Sequence, residues 1–68
     1  MEVKIYTIED KEYMLINELD NNGIHYLLLV NPEDEEDMMF RKEDGDKLLS
    51  LDNDEEYYRV LQLFDELS

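Results

Sequence analysis

The fold is decided by residues 15–30, LINELDNNGIHYLLLV, in which two apolar stretches flank an Asn-Gly pair. Asn22-Gly23 is a strong signal for a two-residue hairpin turn, because both residues tolerate the positive φ that such a turn requires. This turn pairs position 15 with 30, 17 with 28 and 19 with 26. The residues that would then share the core face are Leu15, Leu19, Tyr26, Leu28 and Val30.

The opposite face of this hairpin carries Glu18 and His25 but is otherwise more apolar than a solvated sheet surface requires. A single helix would leave several apolar side chains uncovered, so they predict either an interface with another protein or a second buried face in a homodimer. These surplus residues are Ile16, Leu27, Leu29, Met38 and Phe40.

Three further strands are predicted outside the hairpin, over residues 2–8, 38–42 and 47–51. Pro32 ends the hairpin because proline cannot donate to a strand ladder. The acidic run that follows, residues 33–37, is expected to be a solvated loop.

A helix is predicted at the C-terminal end, preceded by the acidic segment DNDEE at 52–56, which supplies a capping side chain and favourable charges for a helix N-terminus. Its apolar stripe would consist of Tyr57, Val60, Leu61, Phe64 and Leu67. The expected fold is therefore α+β, an antiparallel β-meander of four or five strands with one C-terminal amphipathic helix packed on one face.

The order of these features resembles the YrzB-like family, domain of unknown function 1292. The resemblance rests on the hairpin sequence 22–30, the proline and acidic run, the Gly-containing turn, and the segment 51–57 that leads into the helix, and it covers essentially the whole chain. The first turn, Glu9-Asp10-Lys11, departs from it by lacking a glycine. The resemblance implies a small acidic bacterial protein of unknown function, with no reaction, cofactor or binding residue to transfer.

Composition narrows the possible functions. The 68 residues, expected to form one domain over 1–68, include 20 acidic and 6 basic side chains, for a formal net charge of −14. Such charge disfavours direct binding to nucleic acid or to an anionic membrane. High charge and a mean hydropathy of −0.65 are also typical of disorder, but the organised apolar pattern favours a fold. The absence of cysteine and of a leader-like N-terminus predicts a cytoplasmic protein.

Chemical motifs are few, and we expect no enzyme activity and no cofactor. His25 is the one histidine, and its simplest interpretation is a surface residue opposite Asp20, whose carboxylate would favour the charged imidazole. Both glycines are explained by turns, so no phosphate-binding loop is predicted. The acidic clusters lack the spacing of a calcium loop, so no metal site is predicted beyond weak divalent binding.

The charge and the surplus apolar residues together predict a protein-protein interaction module for a basic partner. Two alternatives remain open, an inhibitor that mimics nucleic acid in the manner of phage anti-defence proteins, and a homodimeric structural protein. The predicted charged contacts are Glu33, Asp34, Glu35, Glu36 and Asp37, and the predicted apolar anchors are Leu27, Leu29 and Phe40.

Overall fold

The computed structural model describes residues 3–67, over which the chain forms five strands and one helix. The strands are β1 (Ile5–Ile8), β2 (Lys11–Asn21), β3 (Ile24–Asn31), β4 (Asp34–Asp44) and β5 (Lys47–Leu49), and the helix is α1 (Asp54–Leu67). The strands form one antiparallel sheet in chain order. The predicted α+β meander is confirmed, with five strands. Residue 2 of the predicted first strand lies outside the described residues. Among residues 3–67, no helix has the length and apolar character that a membrane span requires.

The predicted Asn-Gly hairpin is confirmed. Asn21 pairs with Ile24, so Asn22 and Gly23 form the turn, with φ of 54° and 79°. The first turn uses Glu9 and Asp10 instead, with φ of 52° and 66° and no glycine. Aspartate tolerates this left-handed region better than most residues, which allows the short connection between β1 and β2.

The acidic run 33–37 is mostly strand, so the prediction of a loop was wrong. Asn31 pairs with Asp34, which leaves only Pro32 and Glu33 in the turn. The Asn31 side chain accepts a hydrogen bond from the Glu33 N–H at 2.9 Å, and this local contact closes the turn early. β4 therefore begins four residues before the predicted start, and β5 ends at Leu49, two residues before the predicted end.

A bulge at Ile16 in β2 changes the faces on which side chains lie. The pairs of Asn17 with Leu28 and of Leu19 with Tyr26 are as predicted, but Leu15 pairs with Leu29 instead of Val30. One extra residue in a strand moves every side chain beyond it to the other face. The prediction that Leu15 shares a face with Leu19 was therefore wrong.

The sheet has a core on each face. One lies under the helix, which settles the face that α1 covers, and the other lies on the opposite, concave face. The helix-side core contains Tyr26, Phe40, Val60 and Phe64, with Leu19, Ile24, Leu28 and Leu51 packed against them. The concave core contains Tyr13, Leu27 and Leu29, with Tyr6, Ile8, Leu15, Met39 and Leu48 around them.

Curling of the sheet buries the concave face. The Tyr13 hydroxyl on β2 donates a hydrogen bond to Asp37 Oδ2 on β4 at 2.9 Å, and this contact crosses β3. Tyr6 on β1 and Glu43 on β4 likewise line one hollow on this face, and burial first, then the nearby Glu43 carboxylate, raise the pKa of the Tyr6 hydroxyl. Strands that are not neighbours in the sheet can meet in this way only if the sheet bends around the side chains between them.

A modified capping box begins the helix. The Asn53 side chain accepts a hydrogen bond from the Glu56 N–H at 2.9 Å, as an N-cap residue does. The Glu56 carboxylate reaches back to the Asp52 N–H at 2.6 Å, one residue before the N-cap. The predicted capping role of the segment 52–56 is confirmed.

Glu56 also joins the helix to the sheet. Its carboxylate accepts a hydrogen bond from the Tyr26 hydroxyl at 3.0 Å and lies 3.3 Å from Lys42 Nζ, which is 3.1 Å from Asp52. The Asp52 N–H, then Tyr26 and Lys42, hold the pKa of Glu56 below its usual value against the opposing effect of burial. The buried carboxylate is thus ionised and fully partnered.

This junction rotates the helix away from the predicted stripe. Glu56, Val60 and Phe64, spaced by four residues, face the sheet and are buried. Tyr57 and Leu61 are each 43% exposed and Leu67 is 56% exposed, so the prediction was wrong for these three. A carboxylate takes the position that the periodicity assigns to an apolar residue, because the sheet offers it a hydroxyl and an ammonium group.

We expect Glu56→Gln to destabilise the protein by about 2 kcal/mol, because hydrogen bonds to a charged group contribute about 1.5–3 kcal/mol each and Lys42 loses a buried counter-charge. Glu55→Gln is the matched control, since Glu55 is exposed one residue earlier in the same helical turn. Its cost should stay within about 0.5 kcal/mol. Urea unfolding at pH 7 measures both.

The difference in stability between Glu56→Gln and Glu55→Gln should depend on pH. Because the pKa of Glu56 is lower in the folded protein than its ordinary value of 4.5, its contribution is complete above pH 4.5 and is lost as the pH falls through the folded-state pKa. Equal losses for the two variants at pH 7 would contradict a role for Glu56 in joining helix to sheet.

Candidate functional site

The predicted charged contacts are exposed except at one end. Residues 33–36 lie at the surface, at the turn and the start of β4. Asp37 is half-buried, and its Oδ2 accepts hydrogen bonds from Tyr13 at 2.9 Å and from Asn31 Nδ2 at 3.4 Å. Asp37 therefore supports the curl of the sheet, whereas the other four carboxylates stand at the surface.

The predicted apolar anchors are buried, so the expectation that they form an exposed patch was wrong. Leu27 and Leu29 are 1% and 0% exposed in the concave core. Phe40 is 7% exposed beneath the helix, where its ring stacks on Phe64 at 5.4 Å. The surplus of apolar residues on the hairpin was real, but the chain covers most of it by curling its own sheet.

Another apolar surface remains exposed on the helix side of the sheet. Ile5 pairs with Met14, Met14 with Val30, and Val30 with Met38, so these four side chains form one row across β1, β2, β3 and β4. Directly paired residues on antiparallel strands lie on the same face. Ile5 and Met38, the two ends of the row, are 48% and 53% exposed, and the two middle residues are half-buried.

The row meets the helix at Met38. Tyr57 and Leu61 stand beside it and, with Leu28 and Phe40 beneath, enclose a hollow of about 300 Å³. We call the row together with the two helix residues the apolar ledge, defined as Ile5, Met14, Val30, Met38, Tyr57 and Leu61. The row supplies its floor and the helix supplies its wall.

Three carboxylates lie at the border of the apolar ledge. Glu12 lies two residues before Met14 and so on the same face of β2. Glu36 lines the hollow, and Asp54 lines the adjoining groove together with Met38, Tyr57 and one basic residue, Arg41. An apolar surface with a mainly acidic border favours a partner of the opposite charge.

Only part of the apolar ledge could be predicted from the sequence. Met38 belonged to the surplus apolar residues, but the bulge at Ile16 is needed to place Met14 beside Val30. Tyr57 and Leu61 were assigned to the core because the helical period cannot show that Glu56 faces the sheet.

His25 lies between two carboxylates on the concave side of the hairpin. Its Nδ1 is 2.8 Å from Asp20 Oδ1 and its Nε2 is 2.9 Å from Glu18 Oε1. Asp20 first, and then Glu18, raise the pKa of His25 above 6.5, while burial acts in the opposite direction. The predicted pairing with Asp20 is confirmed, and when the ring is protonated it donates a hydrogen bond from each nitrogen.

This arrangement is an ion-pair triad, since each carboxylate takes a different ring nitrogen and the three groups do not converge on one point. Among residues 3–67 no three His, Asp or Glu side chains are placed to hold a metal ion. The triad ties the end of β2 to the start of β3 beside the hairpin turn.

A family model described as "Protein of unknown function (DUF1292)" matches residues 3–68. The chain belongs to this family. The match covers nearly the whole chain and confirms the resemblance drawn from the hairpin, the acidic run and the helix. Searches of curated proteins and of solved structures found no match. Membership in the DUF1292 family brings no reaction with it, so the surface chemistry must indicate the function.

We expect the pKa of His25, measured by NMR titration of the ring protons, to lie above 6.5 and to fall in Asp20→Asn and in Glu18→Gln, with the larger fall for Asp20. Asp10→Asn removes the same charge from an exposed turn and should leave the titration nearly unchanged.

The stability of the fold should also depend on the ionisation of His25. A raised pKa in the folded state means that the triad stabilises the fold fully below pH 6.5, and that this contribution is lost as the pH rises through the folded-state pKa. A His25 titration unaffected by both substitutions would show that the triad does not form in solution.

Proposed function

We propose that this protein is a non-enzymatic binding module that docks on a basic protein partner. The observation that carries the proposal is the apolar ledge, a partly exposed row of side chains across four strands that ends against the helix. It lies on a chain with a formal net charge of −14. Lysine and arginine side chains of a partner would speed encounter and fix orientation, and apolar contact would slow dissociation.

Residues 33–36 are the proposed long-range charged contacts. They lie in the turn and at the start of β4, just before Met38 in the chain, so their charge is close to one end of the ledge. Leu27, Leu29 and Phe40 have no place in the contact surface because they are buried, and Asp37 is engaged in the fold. A cytoplasmic location remains the expectation from composition.

Two other functions make different demands on this surface. A mimic of nucleic acid needs an array of carboxylates in place of phosphates, and an apolar ledge adds nothing to it. A homodimer would place two ledges together and bring Glu12 and Glu36 of both copies close, which costs free energy through like-charge repulsion. The ledge and its acidic border therefore favour a basic protein partner.

The test is affinity capture from lysate of the source cell on the immobilised protein, with stepwise elution by salt and identification by mass spectrometry. The partner is then purified and its affinity measured with Leu61→Ala and Leu67→Ala. Both leucines are exposed on the same helix, but only Leu61 belongs to the ledge. We expect a basic partner whose affinity falls with salt and falls at least about tenfold for Leu61→Ala, equivalent to about 1.4 kcal/mol.

Leu67→Ala should bind like the unchanged protein. Capture of no basic protein, or binding insensitive both to salt and to Leu61→Ala, would contradict the proposal. If the captured protein binds nucleic acid and the module displaces that nucleic acid without any effect of Leu61→Ala, the mimic is the correct function. Sedimentation of the isolated protein as a dimer at micromolar concentration would favour the structural homodimer.

A further inference from the structure

We infer that the apolar ledge binds one basic amphipathic helix of its partner, about ten residues long, lying across the row with its largest apolar side chain in the hollow beside Met38. This inference rests on the proposed function and adds to it the conformation, length and side-chain pattern of the segment that is recognised.

The length follows from the sheet. The row crosses four strands, and neighbouring strands are spaced by about 4.8 Å, so its ends are about 14 Å apart. A helix rises about 1.5 Å per residue, so about ten residues span the floor. Three or four apolar side chains at helical spacing would then contact Ile5, Met14, Val30 and Met38.

The conformation follows from the backbone of the floor. β2 pairs with β1 and β3, and β3 pairs with β2 and β4, so the two middle strands use both of their edges within the sheet. An extended segment laid on this face would find side chains where it needs hydrogen-bond partners, and unpaired backbone groups against an apolar surface cost free energy. A helix satisfies its own backbone and presents only side chains.

The charge of the bound helix follows from the acidic residues at the border of the ledge. Glu12 lies on β2 beside the row, Glu36 lies beside the hollow, and Asp54 lies at the start of α1, which forms the wall. Lysine or arginine on the flanks of a bound helix would meet these carboxylates. A second copy of this chain offers the opposite, because the first turn of its helix carries Asp54, Glu55 and Glu56 and its last turn carries no basic residue.

The anchor position follows from the hollow. Met38, Tyr57 and Leu61 enclose about 300 Å³ over Leu28 and Phe40. Methionine is unbranched and adapts its shape to the group packed against it. The hollow is thus suited to one leucine or phenylalanine side chain from the partner helix, and the remaining apolar contacts extend along the row towards Ile5.

The test uses the isotope-labelled protein and two synthetic peptides of 14 residues, both built from the same numbers of leucine and lysine. In the first the leucines form one helical stripe, and in the second they are scrambled so that no stripe exists. NMR titration at physiological salt gives the affinity and the location of binding, and circular dichroism reports peptide helicity. The protein variants are Leu61→Ala and, as the matched control, Leu67→Ala.

We expect the striped peptide to bind at least tenfold more tightly than the scrambled one and to become helical on binding. Amide shifts should change mainly at the row and at Tyr57 and Leu61, and Leu61→Ala should weaken binding at least tenfold while Leu67→Ala leaves it unchanged. Equal binding of the two peptides, shifts centred on residues 33–36, or no binding of either peptide would overturn the inference.

The proposed function is tested separately, by the experiment with the natural partner. Suppose that the natural partner is a basic protein whose affinity falls in Leu61→Ala but that it docks through an extended segment. The proposed function would then stand, and the inference that a helix is recognised would be refuted.

Discussion

The single extra residue in β2, Ile16, is the constraint on which the rest of the structure depends. Without this bulge the pairing of Leu19 with Tyr26 would continue regularly, and Tyr13 and Leu15 would lie on the helix side. With it, both enter the concave core, and the Tyr13 hydroxyl reaches Asp37 across β3. Met14 moves to the helix side at the same time and completes the row between Ile5 and Val30. One irregularity therefore adds Tyr13 and Leu15 to the concave core and completes the row of the apolar ledge.

The charge of the chain is accommodated by separating two kinds of carboxylate. Glu56 and Asp37 are removed from solvent wholly or in part and satisfied by tyrosine hydroxyls and, for Glu56, by an ammonium group and a backbone N–H. Exposed acids such as Glu12 and Glu36 are left at the surface, where solvent screens their repulsion. The buried carboxylates hold the fold, and the exposed ones set the sign of the field that a partner meets.

Much of the architecture could be predicted from local signals. Asn22-Gly23 specifies the turn because few other pairs accept its backbone angles. Asn53 starts a helix because its side chain accepts the Glu56 N–H, which has no partner within the helix. Less of the candidate site could be predicted from the sequence. Leu27 and Leu29 were predicted to be exposed since alternation identifies the two faces of a strand but not what covers each face, and here the covering element is the sheet itself. Tyr57 and Leu61 were predicted to be buried since helical periodicity gives the stripe only to within about one residue position, and the hydrogen bond from Tyr26 to Glu56 selects the rotation.

The sequence by itself determined the α+β meander, the Asn-Gly hairpin, the helix and its cap, and the family to which the chain belongs, because each depends on residues close together in the chain or on their order. Only the tertiary structure decided which apolar residues remain at the surface. That choice depends on how far the sheet curls and how the helix is rotated, and both are set by contacts between residues far apart in sequence, from Tyr13 to Asp37 and from Tyr26 to Glu56. No local pattern contains these distances, and the apolar ledge exists because of them.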